Sequence, residues 1–140
     1  MVTVVFACVH NAGRSQMAEA LFNRHADPGK ARAISAGTNP GTRVHPAVVE
    51  AMRELGVDLS ARVPQRLTDD LARQAQWLIT MGCGDECPVV TGVHRDDWPL
   101  QDPKDQPPEV VKQIRADIGA RVLALINDHG WGRDASVTVE

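Results

Sequence analysis

Residues 2–22, VTVVFACVHNAGRSQMAEALF, decide the reading of this chain, because they compress a strand, a tight loop and the start of a helix into one short stretch. Val2 to Ala7 is a continuous apolar, largely β-branched run, the pattern of a central parallel strand covered on both faces. Cys8 ends it. Five residues, Val9, His10, Asn11, Ala12 and Gly13, separate Cys8 from Arg14, and from Gln16 onward Met17, Ala20 and Leu21 recur at helical spacing. The loop therefore opens onto a helix N-terminus, where successive backbone NH groups form an electropositive cradle for a tetrahedral oxyanion.

Cys8 falls at the floor of that cradle. The helix dipole, the Arg14 guanidinium and a hydrogen bond from Ser15 would all favour its thiolate, making it a nucleophile at neutral pH. Arg14 can grip two oxyanion oxygens with its planar fork, which a lysine does poorly. Asn11 and Gly13 tolerate the left-handed backbone angles of a tight loop. A bare Cys-x5-Arg spacing recurs by accident, and a buried, inert Cys8 is the bland alternative. The preceding strand, the following helix and the Ser directly after Arg favour the chemical reading.

The 140 residues fit one domain over 1–140 with a sizeable core. A hydrophobic content of 43% with 24% charged residues is globular, and a net charge of -3 gives no reason to expect nucleic acid or an anionic membrane as partner. No apolar run approaches a membrane span, and the N-terminal apolar stretch lacks the basic start of a signal peptide, so a cytoplasmic protein is expected. Three cysteines without an export signal argue for thiol chemistry in a reducing compartment rather than a disulfide framework.

Further along, Ala31 to Ala36 reads as a second strand, closed by Gly37 and the turn cluster Thr38, Asn39, Pro40 and Gly41. A helix then starts at Pro46, with Val49, Met52 and Leu55 as its apolar stripe and Gly56 as its stop. Thr68 is the expected N-cap of a short helix through about Gln74, and Trp77 to Met81 is a third strand. Pro107 and Pro108 introduce the longest helix, with Val111, Ile114, Ile118, Val122 and Leu125 spaced three or four apart, ending at Gly130; the last ten residues are expected to fray. Strands alternating with helices predict an α/β, doubly wound parallel sheet, with the ligand site beyond the strand carboxyl ends. Cys8, Cys83 and the Asp102 region would share that edge.

Cys83 and Cys87 sit in MGCGDECP, just past the third strand, and a separation of four residues would bring them to one side of a helical turn. A disulfide is within reach of such a pair with modest distortion. The alternatives are two small apolar residues filling a loop, or a zinc site completed by Cys8 and His94, which would consume the nucleophile; no metal site is expected. Asp102 precedes Pro103 and would ordinarily be a solvated turn residue. Beside a Cys-x5-Arg loop it becomes the candidate general acid, because the oxygen expelled when a thiolate attacks an oxyanion must leave protonated. His10 reads as a rim or packing residue, Trp77 and Trp98 as packing, and His129 as a helix C-terminal residue.

Cys8-Val-His-Asn-Ala-Gly-Arg-Ser15, ISAGT at 34–38, HPAVVEAMRELGVDLS at 45–60, the Cys83/Cys87 loop and WPLQDP at 98–103 together resemble arsenate reductases of the low-molecular-weight protein tyrosine phosphatase-like superfamily. The resemblance covers nearly the whole chain. It implies a low-molecular-weight phosphatase-like fold, a four-stranded parallel sheet flanked by helices on both faces. It also implies Cys8 as nucleophile, arsenate bound by Arg14 and the amides of Val9, His10, Asn11, Ala12 and Gly13, thiolate support from Ser15, and Asp102 as acid. Phosphate and sulfate fit the same loop.

By the same resemblance the activity is arsenate detoxification, with no tightly bound cofactor. Cys83 would release arsenite by attacking the Cys8 adduct, and Cys87 would pass the disulfide outward to thioredoxin. The spacing of Cys83 and Cys87, only Gly84, Asp85 and Glu86 apart, is shorter than in thioredoxin-coupled members. Related enzymes use mycothiol with a small redoxin instead. Two other classes stay open: a hydrolase of phosphate monoesters, and a non-catalytic oxyanion-binding or arsenite-sensing protein. Phosphatases of this fold usually follow Asp-Pro with an aromatic residue, whereas here Lys104 and Asp105 follow and the chain contains no Tyr.

Overall fold

In the computed structural model, which describes residues 1–82 and 92–133, the described residues form four strands and four helices. They are β1 (Val2–Cys8), α1 (Arg14–His25), β2 (Ala31–Gly37), α2 (Pro46–Arg53), α3 (Asp69–Arg73), β3 (Trp77–Thr80), β4 (His94–Asp97) and α4 (Pro108–His129). The sheet runs β2-β1-β3-β4 and every pairing is parallel.

The apolar run of β1 is central and buried because both faces are covered. Val4, Phe6 and Cys8 turn to the larger core with Met17, Phe22, Met52, Ile118 and Ile126, while Val5 and Ala7 turn to a smaller one with Leu67, Ala72 and Leu78. Helices α1, α2 and α4 thus pack one face and α3 the other, so β1 has no solvent face on which polar residues could alternate. The large core carries an aromatic column in which Phe6 meets Phe22 edge-on at 5.9 Å and Trp98 at 5.6 Å between ring centroids.

Element signals in the sequence translate closely. The Thr68 side chain accepts from the Leu71 NH at 3.1 Å, capping α3. Gly130 ends α4 in the left-handed conformation at φ 69°, and Pro108 stands in its first turn. The buried stripe of α4 ends on Ile126 rather than Leu125, and that of α2 is Val48, Ala51 and Met52, with Val49 and Leu55 only packed against its margin. Helix α1 begins at Arg14, two residues before the periodicity becomes visible.

Strand β4 carries no sequence signal. Its residues, His94, Arg95, Asp96 and Asp97, are all exposed and charged or polar, because it is an edge strand whose charges discourage pairing with another sheet. His94 pairs with Trp77, which pairs with Val4, so it lies level with a residue four before Cys8, about 13 Å down the strand direction. That removes His94 as a partner of Cys8 in any zinc site. Cys83 and Cys87, and most of the expected frayed end, lie outside the described residues.

Candidate active site

The loop from Cys8 to Arg14 is shaped by the segment that follows β2. The carbonyls of Cys8, Val9, His10 and Ala12 accept from the NH groups of Thr38 at 3.1 Å, Asn39 at 2.7 Å, Gly41 at 2.9 Å and His45 at 2.9 Å. In a trans peptide the next residue's NH points opposite the carbonyl. Anchoring these carbonyls outward therefore turns the amides of Val9, His10, Asn11 and Gly13 to the concave side. Asn11 shows the result, its NH reaching Cys8 Sγ at 3.3 Å. Gly37 makes the arrangement possible, since a Cβ there would lie 2.6 Å from the Val9 carbonyl oxygen and 2.9 Å from the Asn11 nitrogen.

At the floor, Cys8 is 2% exposed and its Sγ lies 2.9 Å from Ser15 Oγ. The direction of that bond follows from a third group. Asn11 Nδ2 donates to the same Ser15 oxygen at 2.8 Å, which leaves the Ser15 proton to point at the sulfur. The Cys8 sulfur thus receives an O–H and an N–H. Asn11, at φ 52°, is locked by Gln16 Nε2, which donates to its carbonyl and side-chain oxygens at 3.1 Å each, and by the Gln65 NH at 2.9 Å. Behind them Gln65 Nε2 donates to the Ser35 carbonyl at 2.8 Å, Ser35 donates to the buried Glu19 carboxylate, and Arg62 ion-pairs with that carboxylate.

Arg14, 8% exposed, forms the opposite wall. Its Nη1 donates to the Leu100 carbonyl at 3.0 Å and its Nη2 lies 3.7 Å from Asp102 Oδ2. Gly82 has φ +89°, and a Cβ there would fall 2.6 Å from Arg14 Nη1, so the backbone after β3 presses against the guanidinium. Asp102 Oδ1 accepts from the Lys104 NH at 3.0 Å, which holds the carboxylate at the mouth with its side chain 44% exposed. Burial lowers the His45 pKa below its ordinary 6.5, and the Asp102 carboxylate partly opposes that shift.

The structure thus gathers Cys8, Val9, His10, Asn11, Ala12, Gly13, Arg14, Ser15 and Asp102 at the carboxyl ends of β1 and β3. His10 Nδ1 lies 3.0 Å from the Asn39 carbonyl oxygen, which places it on the rim. The sequence did not expose Gln16, Gln65, Gly82 or Leu100 as members of the site. Gln16 had a signal, its place directly after Arg14 and Ser15 in the first turn of α1. Gln65 had none, because its partner is 54 residues away. Among the described residues, no group of three or more His, Cys, Asp or Glu could hold a metal ion, and no helix is long and apolar enough to cross a membrane.

A parallel four-stranded sheet with a Cys-x5-Arg-Ser loop at the end of its first strand and an Asp-Pro at the rim defines a class, and comparison with known proteins agrees. The chain belongs to the low molecular weight phosphotyrosine protein phosphatase family, whose pattern matches residues 3–134. Within it the chain is similar to a putative arsenate reductase of Halobacterium salinarum, 39% identical over 127 residues that cover 88% of this chain and 89% of the relative. It is 36% identical to a glutaredoxin arsenate reductase of Synechocystis over 129 residues, 90% of this chain and 97% of the relative. The solved structure of a thioredoxin-dependent arsenate reductase of Corynebacterium glutamicum superposes with a TM-score of 0.79 at 41% identity, over 91% of this chain; the match spans 61% of that longer chain.

Proposed function

We propose that this chain is a cytoplasmic, single-domain arsenate reductase that converts arsenate to arsenite for arsenic detoxification, with Cys8 as nucleophile. The observation that carries the reading is the directed chain Asn11 to Ser15 to Cys8, which aims a hydrogen-bond donor at the sulfur within a loop of inward amides. That arrangement prepares a thiolate and an oxyanion site together. The names of the relatives point to arsenate as the oxyanion.

Arsenate enters the cradle, its oxygens taken by the loop amides and Arg14. For Arg14 to use both arms of its fork, Nη1 exchanges the Leu100 carbonyl for an arsenate oxygen. Cys8 attacks arsenic, and Asp102 protonates the oxygen that leaves as water. The product is a Cys8–arsenate adduct. A second thiolate then attacks the Cys8 sulfur, the S–As electron pair falls to arsenic, which goes from As(V) to As(III), and arsenite departs with one further proton. The two sulfurs are left as a disulfide.

Cys83 is the second thiol of this proposal and Cys87 the third, moving the disulfide out to thioredoxin. Gly82, which precedes Cys83 in the chain, lies against Arg14, which supports an approach from that side. A coupling to mycothiol or another low-mass thiol, as an arsenate–thiol transferase, is the alternative within the same chemistry. The hydrolytic reading draws on the family's phosphatase members, which share Cys8, Arg14 and Asp102. Against it stand Lys104 and Asp105 after Pro103 and the lack of any Tyr to wall a phenyl ring.

Side-by-side assays decide between them: arsenate with thioredoxin and its reductase, arsenate with low-mass thiols, and p-nitrophenyl phosphate. Arsenate turnover with little aryl phosphate hydrolysis is the expected pattern. The reverse would make the protein a phosphatase.

A further inference from the structure

His10 and Ala12 of the catalytic loop also line a second cavity of about 240 Å³, whose other walls include Thr42, Arg43, His45 and Lys104. Four of its lining residues are Arg, Lys or His and none is Asp or Glu, in a chain whose net charge is -3. Among the described residues neither Arg43 nor Lys104 forms an ion pair. Helix α2 starts directly after His45 with no side-chain cap, which adds the partial positive charge of its N-terminus. The carboxylates felt at His45 are Asp102 and Asp105, and Asp102 is already held by the Lys104 NH and faces Arg14. The cavity therefore presents two cationic side chains, Arg43 and Lys104, with no ion-pair partner among the described residues, beside the loop that holds Cys8.

We infer that this cavity is a subsite for a carboxylate arm of a low-mass thiol that resolves the Cys8–arsenate adduct, with Arg43 and Lys104 as the residues that select charged thiols over neutral ones. The inference rests on the arsenate-reductase reading in its alternative form, with a low-mass thiol in place of Cys83 as the second nucleophile. Cys8 is 2% exposed and arsenate fills the cradle, so an external thiol reaches the sulfur from the mouth of the loop, and His10 places this cavity on that mouth's rim. A cavity of this size accepts an amino-acid arm. With the carboxylate seated, the thiolate attacks the Cys8 sulfur; the new S–S bond forms, the S–As bond breaks, arsenic gains the electron pair and one proton, and arsenite leaves.

The test uses the full chain carrying Cys83→Ser and Cys87→Ser, so that only an external thiol can resolve the adduct. Single-turnover arsenite release is measured with glutathione and with glutathione diethyl ester, which keeps the thiol and masks the carboxylates. Glutathione should be about tenfold faster at low salt, with the advantage shrinking as salt screens it. Adding Arg43→Ala and Lys104→Ala should bring the two thiols to within about twofold while the ester rate stays unchanged. Equal rates before those substitutions, or a preference that survives them, would overturn the subsite.

A second readout needs no arsenate. Cys8 thiolate attacks oxidised glutathione, forming a mixed disulfide and releasing one glutathione thiolate, and the rate is compared with that of the esterified disulfide, with the adduct mapped by mass spectrometry. Charge preference there, lost in the Arg43→Ala/Lys104→Ala variant, supports the subsite even if arsenite never forms, in which case the arsenate reading alone fails. Equal rates with the two disulfides would overturn the subsite whatever arsenate does.

Discussion

Ser15→Ala isolates the hydroxyl that meets Cys8, the proposed nucleophile. The hydroxyl it removes lies 2.9 Å from Cys8 Sγ and, because Asn11 Nδ2 occupies its acceptor side at 2.8 Å, its proton has the sulfur as its partner. A hydrogen bond to a charged acceptor contributes roughly 1.5–3 kcal/mol, and each 1.4 kcal/mol is about tenfold in a rate, so reaction of Cys8 at fixed pH should slow by up to about ten- to hundredfold. The substitution also strands the buried Asn11 amide, which should cost about 1–3 kcal/mol of stability. Both effects are measurable in a chain carrying Cys83→Ser and Cys87→Ser, where Cys8 is the remaining thiol. Iodoacetamide alkylation at neutral pH reads the reactivity of Cys8, and urea unfolding reads stability. Loss of stability with an unchanged alkylation rate would refute the argument, since the hydroxyl would then brace the loop without acting on the sulfur.

Three further outcomes follow from the geometry. Gly82→Ala, at φ +89° and 2.6 Å from Arg14 Nη1, should displace the guanidinium and impair arsenate turnover well beyond any change in unfolding midpoint; normal kinetics would show that Arg14 needs no such seat. Asp102→Asn should slow adduct formation by roughly 10²- to 10⁴-fold with less effect on arsenate affinity, and an unchanged single-turnover rate would return Asp102 to the role of a turn residue. Burial holds the His45 pKa below 6.5, so between that value and the lowered one the unfolded chain binds the extra proton and stability falls as pH falls; His45→Gln should flatten the melting temperature across this window, and an equally steep decline in the variant would count against it.

The stretch that decided the reading was legible because its logic is local. A strand buried on both faces, a loop with fixed spacing and a helix start are all written within Val2 to Phe22, and capping at Thr68 and Gly130 needs only neighbouring residues. Strand β4 was illegible for the opposite reason. Four polar residues become a strand only because Trp77 to Thr80 offers them an edge, and nothing in His94 to Asp97 records that. The same divide runs through the site. Cys8, Arg14 and Ser15 are neighbours in sequence, whereas Asn11 is fixed by Gln65 and Arg14 by Leu100, partners 54 and 86 residues away that no periodicity reveals.

The central claim, that Cys8 carries arsenate through a two-electron reduction, is tested most directly by a single turnover without external reductant. The fully reduced protein is freed of thiols, mixed with arsenate, and the arsenite released per chain is counted while the disulfides are mapped. The account predicts about one arsenite per chain with two cysteines oxidised, a Cys8–Cys83 disulfide trapped when Cys87 is replaced by Ser, and no arsenite from Cys8→Ser. Arsenite formed in full by Cys8→Ser, or arsenate left unreduced by a protein that readily hydrolyses p-nitrophenyl phosphate, would contradict it.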